Sequence, residues 1–290
     1  MNHIFLVVNP VSGGGKSMEK VHTAAGLLEK SGITCHKLYS EKRGDMPRLI
    51  RQAAKSGTDC VVVCGGDGTM REAVEALVYQ DIPAFLFPFG TGNDLALALG
   101  ISPDPTLCVR QLLEGKIHQL DAGMVNGSYF LNVAGLGFDV EVLIQTERYK
   151  KRFKAKSAYM LGLLHALLHL KQTAVTIRHD GTELRIGAMI TSVGNGRFIG
   201  GGMEAHPRAN PQDGLFDLCA IHDLKKRQVP GTLLRFLKGR HLDLPATYYT
   251  RSSAFTIDAE REMPIQLDGE IIEKTPAVFK ILPGAVQFIL

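Results

Sequence analysis

The chain has 290 residues, of which 45% are hydrophobic and 21% charged. This composition is close to that of folded globular proteins and excludes a disordered, collagen-like or coiled-coil chain. At roughly 100–200 residues per domain, the length predicts two domains or one large one. With 33 basic and 29 acidic residues the formal charge is +4, which is too small for a protein that wraps nucleic acid but compatible with an anionic ligand.

The sequence shows no pattern typical of export or of a membrane span. The apolar run at residues 4–8 is short and follows no basic segment, unlike a signal peptide. No stretch reaches the roughly 18 apolar residues that a membrane span needs. The 5 cysteines are odd in number and form no C-x-x-C pair, which argues against a disulfide framework or a thiolate zinc site. We therefore expect a cytoplasmic protein, with any membrane contact peripheral and at the inner face.

The first 125 residues alternate short apolar runs with helical patterns, which is typical of a parallel sheet covered by helices on both faces. Strands are predicted at residues 4–8, 60–64 and 84–87, and a helix at residues 17–30. A glycine-rich segment and a helix follow each of these strands. Because open α/β sheets bind ligands at the carboxyl ends of their strands, we expect the three loops to form one composite site.

The first glycine-rich loop runs from Asn9 to Lys16 and contains Ser12 and Gly13. It misses the phosphate-binding pattern G-x-x-x-x-G-K-S by one position, because the first glycine of that pattern falls on Pro10. A strand, a glycine turn and a lysine at a helix start can still cover phosphates with backbone amides and one ammonium charge. An ordinary turn is the alternative interpretation.

The second loop directly follows the predicted strand at residues 60–64. It consists of Gly65, Gly66, Asp67, Gly68, Thr69, Met70, Arg71 and Glu72. Its glycines let backbone N–H groups approach a phosphate, at a helix N-terminus that favours negative charge. Thr69 and Glu72 also fit a T-x-x-E capping box, which needs no ligand. Asp67 is different, because a carboxylate beside a phosphate has to be offset by a cation, normally Mg²⁺.

The third loop, residues 89–95, has Thr91 between two glycines, followed by Asn93 and Asp94. Either Asn93 or Asp94 is predicted to cap a helix at residues 95–99. Taken alone, this loop would only be a capped helix start. Three polar glycine loops in one α/β half, however, indicate a ligand site at this edge of the sheet.

After about residue 123 the strand-like runs become shorter and turn signals more frequent, which predicts a second, mainly β domain. Such runs occur at residues 174–177, 188–190 and 255–257. Residues 157–170 form an apolar segment of helical length that is too short to span a bilayer. A core or interface helix is predicted there.

Two features of the second half allow both a structural and a functional interpretation. Asp-Gly at residues 268–269, between alternating apolar residues, is a strong hairpin signal, and on that evidence alone Glu270 is an exposed strand residue rather than a catalyst. Residues 148–156 contain 6 basic residues and no acid. A solvated helix face is the default interpretation of this segment, and docking to anionic lipid headgroups is the alternative.

In order and spacing, the three loops resemble those of the diacylglycerol kinase catalytic family: an N-P-x-S-G opening, GGDGT with a glutamate three residues on, and G-T-x-N-D. More narrowly, the chain is similar to the bacterial soluble lipid kinases of that family, which are related to sphingosine kinases and more distantly to NAD kinases. The resemblance continues through residues 132–139, 194–196, 200–202 and 211–215, and so covers nearly the whole chain.

The resemblance implies an N-terminal doubly wound α/β nucleotide-binding domain and a C-terminal β-sandwich-like domain. The first domain would comprise residues 1–123, completed by a last strand within residues 277–290. The second, residues 124–276, would bind the lipid and a metal. The active site would lie in the cleft between them.

The resemblance also implies roles for matching residues. ATP would be bound by Asn9, Ser12, Gly13, Lys16, Ser40, Gly65, Gly66, Asp67, Gly68, Thr69, Met70, Arg71, Glu72, Thr91 and Asn93. Ser40 stands where the family commonly has a threonine, and Arg71 where it usually has an asparagine. Asp67, Asp94 and Asp121 would form an acidic network linked to Mg²⁺, with Glu270 as general base.

A second, structural Mg²⁺ is implied in the turn-like segment at residues 210–215. Asp213 would bind it through its side chain, and Asn210 and Leu215 through their carbonyl oxygens. Oxygen ligands suit this hard cation. A solvated turn is the alternative interpretation.

The function implied by the resemblance is an ATP-dependent kinase that phosphorylates a hydroxyl of a lipid such as diacylglycerol. The alternatives are an NAD kinase-like enzyme and a non-catalytic module that senses nucleotide or lipid. The expected partners are a lipid substrate and an anionic membrane surface, with no nucleic acid. The sequence leaves open whether the chain forms a homodimer. Residue types alone do not identify the acceptor lipid, because acyl-chain contacts look like any other core.

Overall fold

A computed structural model describes residues 1–15, 17–236 and 238–290; Lys16, a predicted phosphate ligand, lies outside the described residues. The first part of the chain forms β1 (His3–Val8), α1 (Ser17–Lys30), β2 (Thr34–Tyr39), α2 (Met46–Lys55), β3 (Cys60–Gly65), α3 (Asp67–Leu77), β4 (Ala84–Pro88), α4 (Asp94–Ala98) and α5 (Pro105–Glu114).

These strands form a parallel sheet in the order β2-β1-β3-β4. Every residue of β3 and β4 is buried, as expected for strands covered by helices on both faces. Helix α1 packs against α5, and α2 against α3. The three predicted strands and the predicted helix at residues 17–30 are confirmed. Edge strand β2 was not predicted, because its half-exposed sequence lacks an apolar run.

The rest of the chain is mainly β. It forms β5 (Ile117–Val125), β6 (Ser128–Phe130), β7 (Val133–Gly137), α6 (Phe138–Lys150), α7 (Ala155–Leu168), β8 (Thr173–His179), β9 (Thr182–Gly194), β10 (Phe198–Ile199), β11 (Met203–Glu204), β12 (Phe216–His222), α8 (Val229–Phe236), β13 (Thr247–Ser252), β14 (Ala254–Ala259), β15 (Pro264–Leu267), β16 (Glu270–Lys274) and β17 (Ala277–Ile289).

The second domain is a β-sandwich around its own apolar core. Its strands pair in the order β16-β15-β7-β9-β8-β14, and β12 joins β9 to β13. The long strand β9 pairs with β8 through its first half and with β7 and β12 through its second. Phe130 and Phe216 stack inside at 5.7 Å. The predicted runs lie in β8, β9 and β14, so the expected α/β plus β-sandwich architecture is confirmed.

Strand β17 belongs to both sheets. Its first residues pair with β14 and with the end of β5. The register then shifts between Leu282 and Val286, where Gly284 has a φ of 59°. Beyond the shift, Phe288 pairs in parallel with Ala84 of β4. The boundaries predicted at residues 123 and 277 stay a prediction.

Helices α6 and α7 form a hairpin between β7 and β8 and pack against each other. Helix α7 coincides closely with the helix predicted at residues 157–170. It is not a core helix, because Met160, Leu164 and Leu168 are each more than half exposed. Within the described ranges, no helix combines the length and apolar character that crossing a membrane requires.

Candidate active site

A cleft of about 1050 Å³ lies between the carboxyl ends of β1, β3 and β4 and the second domain. Many predicted site residues line it: Asn9, Ser12, Gly13, Ser40, Gly66, Asp67, Gly68, Thr69, Met70, Glu72, Thr91, Asp94 and Glu270. The other described residues with a predicted role lie outside its lining: Gly65, Arg71, Asn93, Asp121, Asn210, Asp213 and Leu215. The three glycine loops and the Asp-Gly-Glu segment therefore meet at one place.

The three loops touch through their backbones. A side-chain carbon at Gly90 would lie 2.3 Å from the Cα of Gly66, and one at Gly13 would lie 2.5 Å from the carbonyl oxygen of Phe89. Both distances are far below any real contact, so these approaches require glycine. Asn9 Nδ2 also donates to Thr69 Oγ1 at 3.0 Å, which joins the first loop to the second.

The capping-box interpretation of Thr69 and Glu72 is wrong. Helix α3 begins at Asp67 with Gly66 as its N-cap, so Thr69 lies inside the first turn. Glu72 Oε2 accepts from the backbone N–H of Gly44 at 2.9 Å and so fixes the loop between β2 and α2. This loop, residues 40–45, forms another side of the cleft.

Helix α4 is capped from another loop. Asn93 occupies the N-cap position, but its side chain closes its own loop through two 3.1 Å bonds with the backbone of Gly90. Asp67 Oδ1 instead accepts from the N–H of Leu95 at 3.3 Å. The prediction that Asn93 is the N-cap of this helix is confirmed by position, but the capping oxygen comes from Asp67, which sequence spacing did not indicate because it considers only local partners.

Asp67 and Asp94 are neighbouring carboxylates, of which Asp94 is buried and Asp67 half-buried. Burial raises the pKa of Asp67 to about 6, and the charge of Asp94 adds to the effect. Burial also raises the pKa of Asp94, although that carboxylate accepts from the N–H groups of Gly201 and Gly202 at 3.0 and 2.7 Å. Both carboxylates border Gly92. A pair of neighbouring acids without a cationic partner among the described residues fits a Mg²⁺ that also binds phosphates.

Glu270 begins the second strand of the β15–β16 hairpin. Asp268 and Gly269 have φ angles of 48° and 88°, the left-handed pair of a type I′ turn, and the hairpin prediction is confirmed. The Asp268 carboxylate accepts from the N–H groups of Leu131, Asn132 and Val133 at 2.9 Å each. The backbone of residues 131–133 therefore holds the turn in place.

The hairpin directs Glu270 into the cleft rather than into solvent. Its side chain is only 21% exposed and pairs with Arg43 of the β2–α2 loop at 2.8 Å. Its Oε1 lies 3.3 Å from where a side-chain carbon of Gly68 would be. Glu270 is thus a cleft residue above the start of α3, not a solvated strand residue.

Asp121 is not brought to Asp67 and Asp94. Its two carboxylate oxygens accept from the N–H groups of Gly214 and Gly284 at 2.7 and 2.8 Å. It thereby holds the 210–215 loop against the register shift of β17. A place for Asp121 in the acidic network stays a prediction that this geometry does not favour.

In the 210–215 loop, the proposed metal-binding carboxylate already has a cationic partner. The Asp213 carboxylate is paired with the guanidinium of Arg251, which also contacts the buried Asp217 at 3.3 Å. The positive charge that a metal would supply is therefore already present. Within residues 1–15, 17–236 and 238–290, no three His, Cys, Asp or Glu side chains are arranged to hold a metal ion. Carbonyl ligation by Asn210 and Leu215 stays a prediction.

The other half of the cleft is apolar and was missed from sequence. Its walls come from α6, α7, α8, β9, β10 and β12. They include Phe138, Val142, Leu163, Met189, Ile199, Ile221, Leu233 and Phe236. Outside the cleft, such residues would form an ordinary core, so residue type gives no signal of this role.

Two polar residues of the cleft were also missed. Arg43 had no signal beyond the SEKRGD segment that contains it. Asp139 lies in the first turn of α6, and burial raises the pKa of its carboxyl to about 6. Gln266 Nε2 donates to its Oδ2 at 3.2 Å, while Oδ1 has no hydrogen-bond partner among the described residues. An acid after a Gly-x-Gly-x segment was a signal that could have been used.

Family models match both halves of the chain. Residues 3–125 match the diacylglycerol kinase catalytic domain. Residues 132–290, more than half of the chain, match the YegS C-terminal NAD kinase beta sandwich-like domain. The chain belongs to the diacylglycerol kinase family of lipid kinases. An enzyme of this class is a transferase that phosphorylates a hydroxyl group.

Individual relatives support the family over the full length. The chain is 31% identical to a Pseudomonas fluorescens protein named "Probable lipid kinase YegS-like", with 93% of this chain and 90% of that protein covered. It is 28% identical to a Mycobacterium tuberculosis diacylglycerol kinase, with 97% and 93% covered. A crystal structure of a Bacillus anthracis diacylglycerol kinase has the same fold, with a TM-score of 0.80 at 23% identity and 99% and 96% covered.

Proposed function

We propose that this lipid kinase transfers the γ-phosphoryl group of ATP to a hydroxyl of a glycerolipid such as diacylglycerol. One observation carries the proposal: a single cleft joins a glycine-loop edge, suited to phosphates, to an apolar half, suited to acyl chains. A soluble dinucleotide would gain little from such an apolar half. The cleft therefore favours a lipid over NAD as the acceptor.

The glycine-loop edge is the proposed nucleotide site. Backbone N–H groups at the start of α3 favour the negative charge of the phosphates. Ser12, Ser40 and Thr91 place hydroxyl groups around the same edge. Asp67 and Asp94 are the residues that would hold Mg²⁺, which when bound would neutralise charge on the phosphates.

Glu270 is the proposed general base. The lipid oxygen forms a bond to the γ-phosphorus as the bond between that phosphorus and the bridging oxygen of ADP breaks. The hydroxyl proton passes to the Glu270 carboxylate, and ADP leaves with the electron pair of the broken bond. The Asp268 anchor keeps Glu270 beside Gly68, at the boundary between the polar and apolar halves of the cleft.

The acceptor is proposed to enter from an anionic membrane surface. Tyr159 and Leu163 of α7 line the cleft, while Met160, Leu164 and Leu168 of the same helix are exposed at a spacing of four residues. Every residue of the preceding turn, 151–154, is exposed, and the turn carries three cations and Phe153. An apolar stripe beside a basic turn suits the headgroup region of an anionic bilayer.

ATP consumption with a panel of acceptors tests the proposed function. The panel contains vesicles with diacylglycerol, a free sphingoid base, NAD and no acceptor, each with Mg²⁺. We expect turnover above the acceptor-free rate only with the glycerolipid. Turnover with NAD alone would replace the proposal with an NAD kinase, and ATP binding without turnover on any acceptor would indicate a sensing module.

A further inference from the structure

Arg43 forms an ion pair with Glu270 in the lining of the cleft. Its Nη2 lies 2.8 Å from Oε1 of Glu270. Arg43 belongs to the nucleotide domain, in the loop between β2 and α2, and Glu270 belongs to the hairpin of the second domain. The pair therefore bridges the two domains, and one oxygen of the proposed base is occupied by a cation.

The backbone around Arg43 is fixed, while its side chain is free to turn. Asp45 Oδ2 accepts from the N–H groups of Glu41 and Lys42 at 2.9 and 3.1 Å, and Glu72 holds the N–H of Gly44 at 2.9 Å. The Arg43 side chain, by contrast, is 74% exposed. Because the pair is solvated on its arginine side, it contributes little stability, and a more highly charged partner can replace Glu270.

A nucleotide triphosphate is such a partner. Arg43, Gly68 and Glu270 all line the same cleft, and Glu270 itself sits beside Gly68 in the second glycine loop. A terminal phosphate carries more negative charge than a carboxylate and offers oxygens for a two-point contact with a guanidinium. Arg43 reaches this region through Glu270 Oε1, which lies beside Gly68 in the first turn of α3, where the phosphates are proposed to bind.

We propose that Arg43 binds the γ-phosphate of ATP and that the nucleotide thereby withdraws it from Glu270, freeing the base only when ATP is in place. This inference rests on the proposed function. In the absence of nucleotide, the Arg43 guanidinium occupies Oε1 of Glu270, so this oxygen is not available to an acceptor hydroxyl. With ATP bound, the same guanidinium stabilises the charge on the phosphoryl group in transfer.

Titration calorimetry of ATP and ADP with Mg²⁺, without lipid, tests the phosphate contact. Arg43→Gln should weaken ATP binding about 10- to 100-fold, the range of a charge-assisted hydrogen bond, and change ADP binding less than about twofold. The ATP affinity of Arg43→Lys should fall between that of Arg43→Gln and that of the parent. Arg48→Gln is the matched control, because Arg48 is also exposed and its 3.7 Å partner, Asp45, is outside the cleft. Parental ATP affinity in Arg43→Gln, or equal losses for ATP and ADP, would overturn the proposal.

A double-mutant cycle tests the exchange of partners. If ATP has to break the pair, Glu270→Gln should tighten ATP binding about two- to fivefold in the parent and not at all in Arg43→Gln. The same gain in both backgrounds would contradict the exchange. If the parent protein phosphorylates lipid and Arg43→Gln binds ATP with parental affinity, only this inference is overturned. If the parent protein phosphorylates no lipid, the proposed function is overturned.

Discussion

The two halves of the cleft are built in different ways. The nucleotide half consists of three loops of consecutive residues whose backbones touch at Gly66, Gly90 and Gly13. The apolar half consists of side chains spread from Phe138 to Phe236, contributed by three helices and three strands. Backbone chemistry requires particular residues at particular spacings, whereas an apolar wall accepts many combinations of side chains. A family can therefore keep the first half recognisable while the second changes.

Glu270 stands where the two halves meet, and its replacement is expected to have the largest effect. Glu270→Gln keeps the size of the side chain and the hairpin but cannot accept a proton. We expect kcat to fall roughly 10²- to 10⁴-fold while ATP binding is retained. Single-turnover kinetics with a diacylglycerol acceptor, alongside calorimetry, measure both quantities. A variant with parental kcat would remove Glu270 from the mechanism.

The Asp67 carboxylate in the nucleotide half of the cleft is expected to lower the free energy of unfolding at neutral pH. Its pKa is raised to about 6 by burial and by Asp94, so the folded state holds the proton more strongly than the unfolded state does. Stability without ligand should therefore fall as the pH rises from about 4 to about 6, and stay level above that. Asp67→Asn should remove the part of this dependence that Asp67 contributes, leaving the parts from Asp94 and Asp139, and should stabilise the protein at pH 7 by about 1–3 kcal/mol.

The same Asp67→Asn variant should lose about 10²-fold or more in kcat, because the metal charge it would hold is worth several kcal/mol. Thermal melts across pH and turnover assays on one preparation give both results. Asparagine can still accept from Leu95, so the α4 cap is preserved. A variant less stable than the parent at pH 7 would contradict the argument.

The basic turn at residues 151–154 should affect binding and activity on anionic vesicles but not activity on detergent-dispersed substrate. Replacing both Lys151 and Lys154 with glutamine should weaken binding to anionic vesicles by about 30-fold, since each cation near such a surface contributes about 1 kcal/mol. Activity on detergent-dispersed substrate should change little. Equal losses in the two assays would indicate a folding defect rather than lost membrane contact.

Two adjacent leucines of α7 provide a matched pair for the apolar half. Leu163 lines the cleft, whereas Leu164 is 52% exposed. Leu163→Ala should raise the KM for a long-chain acceptor about tenfold, and leave the KM for ATP unchanged, because burial of a leucine side chain is worth about 1.5–3 kcal/mol. Leu164→Ala should be silent in detergent and cost a few-fold in vesicle binding. The reverse pattern would mean that the helix faces the other way.

The sequence predicts the features that are built from consecutive residues and misses those that join residues distant in the chain. Strands β1, β3 and β4, their loops and the Asp-Gly hairpin all follow from local patterns. The cap on α4 does not, because its donor and acceptor are 28 residues apart. The contact between Arg43 and Glu270 joins two domains and likewise leaves no local trace. Asp121 illustrates the opposite error, in which a residue was assigned to the site that does not line it. Its carboxylate lies outside the cleft and accepts from two backbone N–H groups there.

Strand β17 has a consequence for how the protein is made. The parallel sheet that carries the glycine loops is completed by Phe288 beside Ala84, so a ribosome has to add more than 160 residues after β5 before that edge can be covered. Until then the buried strand β4 has an unpaired edge, which can pair with another chain. Contacts of such long sequence separation form slowly. Nascent chains should therefore depend on chaperones up to the moment when β17 emerges, and the glycine loops should become a stable ligand site only then.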